Sequence, residues 1–135
     1  MTLKINLKQI YERIYAESAW RAAHRNDVYT LTPDNEELLR VKVKSGFDEL
    51  VSKISGYLNS SSFDPTLARD NIKLDISFEE IEPVIDSLRS AIIETLAFYA
   101  LLQFYGLNDN YYDTAWRRNR AHVCIILCRA ELARD

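Results

Sequence analysis

One short segment of this chain has the period of a β-strand, whereas the hydrophobic residues elsewhere have the spacing of helices. Polar and apolar residues alternate from Asn71 to Phe78, with apolar side chains at Ile72, Leu74, Ile76 and Phe78. This alternation is typical of a strand that buries one face. A lone strand leaves its backbone N–H and C=O groups unpaired, so the segment requires a partner strand.

Two segments of the chain are candidates for that partner. Leu3–Leu7 also alternates, and Val28–Leu31 is rich in β-forming residues. Pairing with either segment gives a two-stranded β element within one chain. The other alternative is pairing with a strand of a neighbouring subunit, which would join several copies through their backbones.

Four helices are predicted from apolar residues that recur every three or four positions. They run from about Leu7 to His24, from Thr32-Pro33 to about Leu58, from Pro83 to Tyr105, and from Asn108 or Asp109 through Ala130. Asn59–Ser62 is expected to end the second helix, with a loop from Phe63 to Asn71. Three glycines and three prolines in 135 residues give few turns and no flexible linker. We therefore expect one domain over residues 1–135, mainly α, a four-helix bundle with one short strand or a two-stranded β element.

Net charge, hydropathy and cysteine content predict the cellular compartment in which the chain works. The formal net charge of −3 does not favour nucleic acid over the whole surface. The most apolar stretch, residues 91–105, contains Glu94 and Gln103 and is too short for a membrane span. The N-terminal segment has no apolar signal region. Cys124 and Cys128, one helical turn apart, indicate a reducing compartment, so we expect a cytoplasmic chain without membrane contact.

The side chains available for chemistry do not form a recognisable catalytic pattern. A di-metal helix bundle requires a carboxylate three residues before each histidine ligand. Neither His24 nor His122 has a carboxylate at that position. His122 does not share a helix face with Cys124 and Cys128, and no fourth metal ligand is apparent. The serines at 60–62 lack a nucleophile elbow, and the glycines are isolated. The sequence predicts no enzyme, no catalytic residue, no metal, no cofactor and no small-molecule substrate.

The most concentrated polar group follows Trp116 on the last predicted helix. It contains Arg117, Arg118 and Arg120. These arginines fit a solvated helix face, an acidic protein partner or nucleic acid. Tyr111, Tyr112 and Trp116 precede them, and Tyr, Trp and Arg are enriched at the energetic centres of protein interfaces.

The order of three segments resembles a known class of protein over roughly the C-terminal half. These segments are the strand at Asn71–Phe78, the long apolar helix Pro83–Tyr105, and the aromatic turn Asn108–Trp116 that leads into a last helix. This order is similar to small helical virion proteins of tailed bacteriophages and prophages, particularly those of Bacteroidetes hosts. Members of the neck or head–tail connector type form rings. The resemblance implies that Ile72–Phe78 pairs between subunits and that the arginines contact an adjacent ring or DNA.

We therefore expect a non-enzymatic structural protein of a tailed-phage or prophage virion, at the neck, head–tail connector or tail-completion position. Its partners would be itself, in a ring, or neighbouring virion proteins, with DNA as a further possibility, in the virion or the bacterial cytoplasm. The predicted protein interface contains Ile72, Leu74, Ile76, Phe78, Tyr111, Tyr112, Trp116, Arg117, Arg118 and Arg120. The alternative is a cytoplasmic helical regulatory or immunity-type module that binds one protein partner. A metal-dependent or hydrolytic enzyme would instead depend on His122.

Overall fold

The computed structural model describes residues 1–25 and 30–133. In chain order the elements are β1 (Thr2–Ile5), α1 (Leu7–Arg25), α2 (Glu36–Ile54), β2 (Leu58–Phe63), β3 (Ile72–Ile76), α3 (Glu82–Tyr105) and α4 (Asn110–Leu132). Short 3₁₀ turns at Pro33–Asn35 and Ser55–Tyr57 flank α2. The predicted mainly helical fold with four helices is confirmed, and the β element is a three-stranded antiparallel sheet.

Helix α3 is the central element because its apolar residues cover most of its circumference. All residues from Thr95 to Leu102 are buried, and α3 packs against each of the other three helices. The Thr95 hydroxyl donates to the carbonyl of Ala91 at 2.7 Å, so this polar group is satisfied within the helix. A helix that is apolar on nearly every side requires such a surrounded position.

Side chains that the sequence predicts as caps do cap the 3₁₀ turn that leads into α2 and the start of α4. The Thr32 hydroxyl accepts from the N–H of Asp34 at 3.3 Å, and Pro33 occupies the first position of the 3₁₀ turn. A carboxylate oxygen of Asp109 accepts from the N–H of Tyr112 at 3.1 Å. Each cap satisfies a donor that the first helical turn leaves without an intrahelical partner.

Strand β3 is the middle strand of the sheet, and both of its edges are paired within the chain. Leu3 of β1 lies opposite Leu74 on one side, and Ser61 of β2 lies opposite Leu74 on the other. Pairing with the N-terminal segment is therefore confirmed. The alternative of an inter-subunit strand is wrong, because neighbours within the chain occupy both edges of β3. The Val28–Leu31 alternative falls partly outside the described residues.

The four apolar side chains of the alternating segment belong to the core of the chain. Ile72, Leu74, Ile76 and Phe78 are 0%, 0%, 1% and 3% exposed, respectively. The prediction that they contribute to a protein interface is corrected accordingly. The alternation correctly identified a buried face, but the helices of the same chain cover it.

The segment from Leu58 to Phe63 forms strand β2, where the sequence predicted the end of the second helix and the start of a loop. Helix α2 ends at Ile54 instead. The half-buried Leu58 and Phe63 pack against the core from the two ends of the strand, while Asn59 and the serines between them are exposed. Pairing along β3 therefore stabilises a strand that its own polar sequence does not favour.

The side chain of Asn71 joins the loop before β3 to the start of α1. It is 5% exposed, and its Oδ1 accepts from the N–H of Leu7 at 2.9 Å. Its Nδ2 donates to the carbonyls of Leu67 and Asp64 at 2.8 and 3.1 Å. One amide group thus satisfies three backbone groups of two different segments.

We expect Asn71→Ala to lower the free energy of unfolding by about 2 kcal/mol, because it leaves the buried N–H of Leu7 without an acceptor. Urea denaturation followed by circular dichroism measures the change. Asn59→Ala, at an exposed position of β2, is the matched control, with an expected effect within about 0.5 kcal/mol. Equal effects of the two substitutions would contradict the role assigned to Asn71.

Candidate protein interface on helix α4

Three of the predicted interface residues on α4 are part of the internal packing. Tyr112 and Trp116 are 1% and 6% exposed, and the Trp116 ring meets the ring of Tyr99 edge-on at 5.1 Å. The guanidinium of Arg120 lies 4.6 Å from the centre of the Trp116 ring and 4.0 Å from a carboxylate oxygen of Glu49. These contacts join α4 to α3 and α2. The aromatic and arginine side chains here stabilise the bundle.

The other three, Tyr111, Arg117 and Arg118, are exposed. Arg117 donates to a carboxylate oxygen of Asp113 at 2.9 Å, and this hydrogen bond holds the pKa of Asp113 below its usual value. Tyr111 packs edge-on against Phe98, with a distance of 6.2 Å between ring centres. Arg118 has no hydrogen bond or ion pair within residues 1–25 and 30–133. Of these three side chains, Arg118 is thus the one whose charge is uncompensated within that part of the chain.

A stripe of exposed residues that the sequence analysis missed continues from Arg118 to the end of α4. We call it the α4 stripe, and it consists of Arg118, Ala121, Ile125, Cys128 and Leu132. The intervals of three and four residues are those of a coiled-coil seam. Ile125 and Leu132 are 47% and 67% exposed. The sequence pattern does indicate an exposed apolar face, because α4 has apolar residues on two opposite faces and a helix bundle buries only one of these faces.

The charges beside the α4 stripe are mostly positive. Arg117 and Arg118 lie at its N-terminal end, and Arg129 lies beside Cys128. The side chain of Arg129, like that of Arg118, has no partner among the residues that the structure describes. Glu131, next to Leu132, is an acidic residue beside the last turn of the stripe. Exposed apolar side chains with unpaired arginines beside them are suited to binding a protein surface that is apolar with acidic margins.

An ion pair fixes the N-terminal end of α4 against α1. Nη1 of Arg21 lies 2.6 Å from Oδ2 of Asp109, and both side chains are largely buried. The guanidinium of Arg21 lies 4.1 Å from the centre of the Tyr105 ring. Burial, only partly offset by the hydrogen bond from Arg21, raises the pKa of the Tyr112 hydroxyl to about 12. The helix that carries the α4 stripe is therefore joined to α1 at its N-terminal end.

A further groove of the described residues lies elsewhere, between α1 and the start of α2. It has a volume of about 830 Å³, and Tyr11 and Tyr15 line it together with Glu36 and Arg40. Burial, reinforced by the charge of Glu36, raises the pKa of Tyr11 to about 12 and raises that of Tyr15 as well. Both hydroxyls stay protonated at neutral pH, so they are suited to donate hydrogen bonds and not to accept a proton from a substrate.

The described residues contain neither a cluster of metal ligands nor a membrane-spanning helix. No group of three or more His, Cys, Asp or Glu side chains in residues 1–25 and 30–133 is arranged to hold a metal ion. Cys124 and Cys128 are free thiols. None of the described helices combines the length and the hydropathy that a span of a lipid bilayer requires.

No known protein family, curated protein or solved structure matches this chain.

Proposed function

We propose that this chain is a non-enzymatic assembly protein of a tailed-phage or prophage virion, at the neck, head–tail connector or tail-completion position. It works by protein–protein contact through the α4 stripe. The observation that supports this role is an exposed apolar seam, with Ile125 and Leu132 at its centre and end, beside arginines that lack partners in the described residues. A surface helix has polar residues on the face opposite the core, whereas this face of α4 has apolar ones at seam spacing.

The rest of the molecule fits a rigid module that presents one binding face. The core is built from three strands and four helices, and both edges of the central strand β3 are paired within the chain. The Arg21–Asp109 pair and the packing of Trp116 hold α4 in one position. Preorganised helices reduce the entropy lost on binding and so favour stable assemblies.

The internal pairing of β3 also favours the second candidate function, a cytoplasmic regulatory or immunity-type module that binds one protein partner. Because both edges of β3 are paired internally, the alternating segment itself does not oblige the chain to form a ring. The two functions predict complexes of different stoichiometry. The virion role predicts a contact that repeats around a ring or with a neighbouring virion protein, and the regulatory role predicts a complex of one chain with one partner.

The test uses the protein products of the genes that flank its own. We expect the purified chain to form a stoichiometric complex with a portal, neck or tail-completion product encoded there, measured by native mass spectrometry. The variant Ile125→Glu with Leu132→Glu, called the α4 variant below, is expected to weaken this complex by at least about tenfold.

The control for the α4 variant is Ile81→Glu with Leu107→Glu. Ile81 and Leu107 are 64% and 69% exposed, and they lie on neither α2 nor α4. This control is expected to bind as the wild-type chain does. Flanking genes without virion products, together with a strictly monomeric chain that binds none of their proteins, would contradict the virion role. A complex of one chain with one non-virion partner would favour the regulatory function.

A further inference from the structure

A second exposed apolar pair lies on α2, at the other end of the bundle from the C-terminal half of the α4 stripe. Leu38 and Val41 are 48% and 63% exposed and are separated by one helical turn. Asp34 and Glu37 lie beside them and are also exposed. We call these four residues the α2 patch. Among the residues that the structure describes, neither acidic side chain has an ion pair.

The α2 patch and the α4 stripe have complementary charges. The first places two carboxylates beside apolar side chains, and the second places Arg118 and Arg129 beside apolar side chains. Three basic side chains of α2 near the patch have contacts of their own. Lys44 pairs with Asp48, Lys42 donates to the carbonyl of Gln103, and Arg40 lines the groove towards α1, whose margin Glu37 shares. Opposite charges around apolar centres favour contact of the two surfaces and disfavour contact of either surface with itself.

The positions of the two surfaces allow one molecule to use both at once. The start of α2 lies beside the C-terminal end of α3, where Lys42 Nζ is 3.4 Å from the carbonyl oxygen of Gln103. The C-terminal half of α4 lies beside the N-terminal half of α3, since Asp86, Ser90 and His122 line one shallow depression. The α2 patch and the apolar part of the α4 stripe are therefore on different helices and towards opposite ends of α3.

We infer that the α4 stripe of one copy binds the α2 patch of a second copy, so that the chain assembles head to tail. This inference rests on the proposed function and names the occupant of its binding surface. Arg118 and Arg129 of the first copy contact Asp34 and Glu37 of the second, around a centre of leucine, isoleucine and valine side chains. A head-to-tail contact uses a different surface on each partner, so it generates a closed ring or a filament.

The experiment mixes two variants that each lack one of the two surfaces. The α4 variant keeps the α2 patch, and the variant Leu38→Glu with Val41→Glu, called the α2 variant, keeps the α4 stripe. Sedimentation velocity is expected to find an oligomer larger than a dimer for the wild-type chain. Each variant alone is expected to be a monomer, with self-association weakened by at least about tenfold. An equimolar mixture of the two is expected to form a dimer and nothing larger, because it contains one complete junction.

Several outcomes would overturn the inference. If the α2 variant assembles as the wild-type chain does while the α4 variant does not, two α4 stripes pair with each other. A mixture that stays monomeric would exclude the junction between the two surfaces. A monomeric wild-type chain that still binds a flanking virion protein through α4 would overturn the head-to-tail contact and leave the proposed function in place. The Ile81→Glu, Leu107→Glu control and a thermal melt of every variant exclude loss of fold as the cause.

Discussion

Gly46→Val is expected to lower the free energy of unfolding by about 3 kcal/mol, at the upper end of the range for an overpacked core. A Cβ atom at position 46 would lie 2.8 Å from Cδ1 and 3.1 Å from Cγ of Tyr99. The Tyr99 ring cannot easily retreat, because Trp116 packs against it edge-on and its hydroxyl lies 3.2 Å from the hydroxyl of Ser45. Helices α2 and α3 approach closely at this point because residue 46 has no side chain.

Gly56→Val is the matched control for this substitution. Gly56 lies in the 3₁₀ turn after α2, and no atom would lie within 4 Å of a Cβ at this position. Its effect is expected to stay within about 0.5 kcal/mol. Urea denaturation of both variants measures the difference. If Gly46→Val lowered the free energy of unfolding no more than Gly56→Val does, Tyr99 would move away at little cost. The close approach of α2 and α3 would then not explain the glycine at position 46.

Asp109→Ala is expected to destabilise the fold by about 3 kcal/mol. The carboxylate of Asp109 pairs with Arg21 at 2.6 Å and also caps α4. The substitution removes an N-cap, worth about 1 kcal/mol, and the charge that neutralises a largely buried guanidinium. Asp109→Asn retains a capping oxygen without the charge and should give a smaller loss. Asp86→Ala, which removes an exposed ion pair with Arg89, is the control, with an expected change below about 1 kcal/mol.

The Asp109 pair also predicts a pH dependence. Burial by itself would raise the pKa of Asp109, but hydrogen bonds from Arg21 and the N–H of Tyr112, with the charges of Arg21 and Arg25, lower it. A lowered pKa in the folded state stabilises the fold above the pKa of the unfolded carboxyl, about 3.9, and this contribution is lost as the pH falls through the folded-state pKa. The stability difference between wild type and Asp109→Asn should therefore shrink from about pH 5 to pH 2. A constant difference over this range would contradict the ionised pair.

The helices could be predicted because their signals are local. Apolar spacing, together with caps such as Thr32 and Asp109, depends on neighbouring residues alone. Strand β2 could not be predicted, because Asn59 and the serines after it show no alternation and form a strand only when β3 is beside them. The pairing of Arg21 with Asp109 joins distant parts of the chain, and no local pattern indicates it.

The candidate interface was only partly predictable, because the exposed face of α4 also depends on contacts between distant parts of the chain. Tyr112, Trp116 and Arg120 are residue types enriched at interfaces, but the same properties suit them to pack between helices. Which face of α4 the bundle buries depends on Tyr99 and Glu49, which lie on other helices. Only after that face was known could Ile125 and Leu132 be recognised as exposed.

The central place of β3 has a consequence for how the chain folds. Its partner β1 is separated from it in the chain by two helices and another strand. Helices form within about a microsecond from contacts close in sequence, whereas joining β1 to β3 requires closure of a long loop. Topologies with such distant contacts fold slowly. Strand β1 is thus expected to be among the last elements to dock, and the rate of that docking should limit how fast the native state appears.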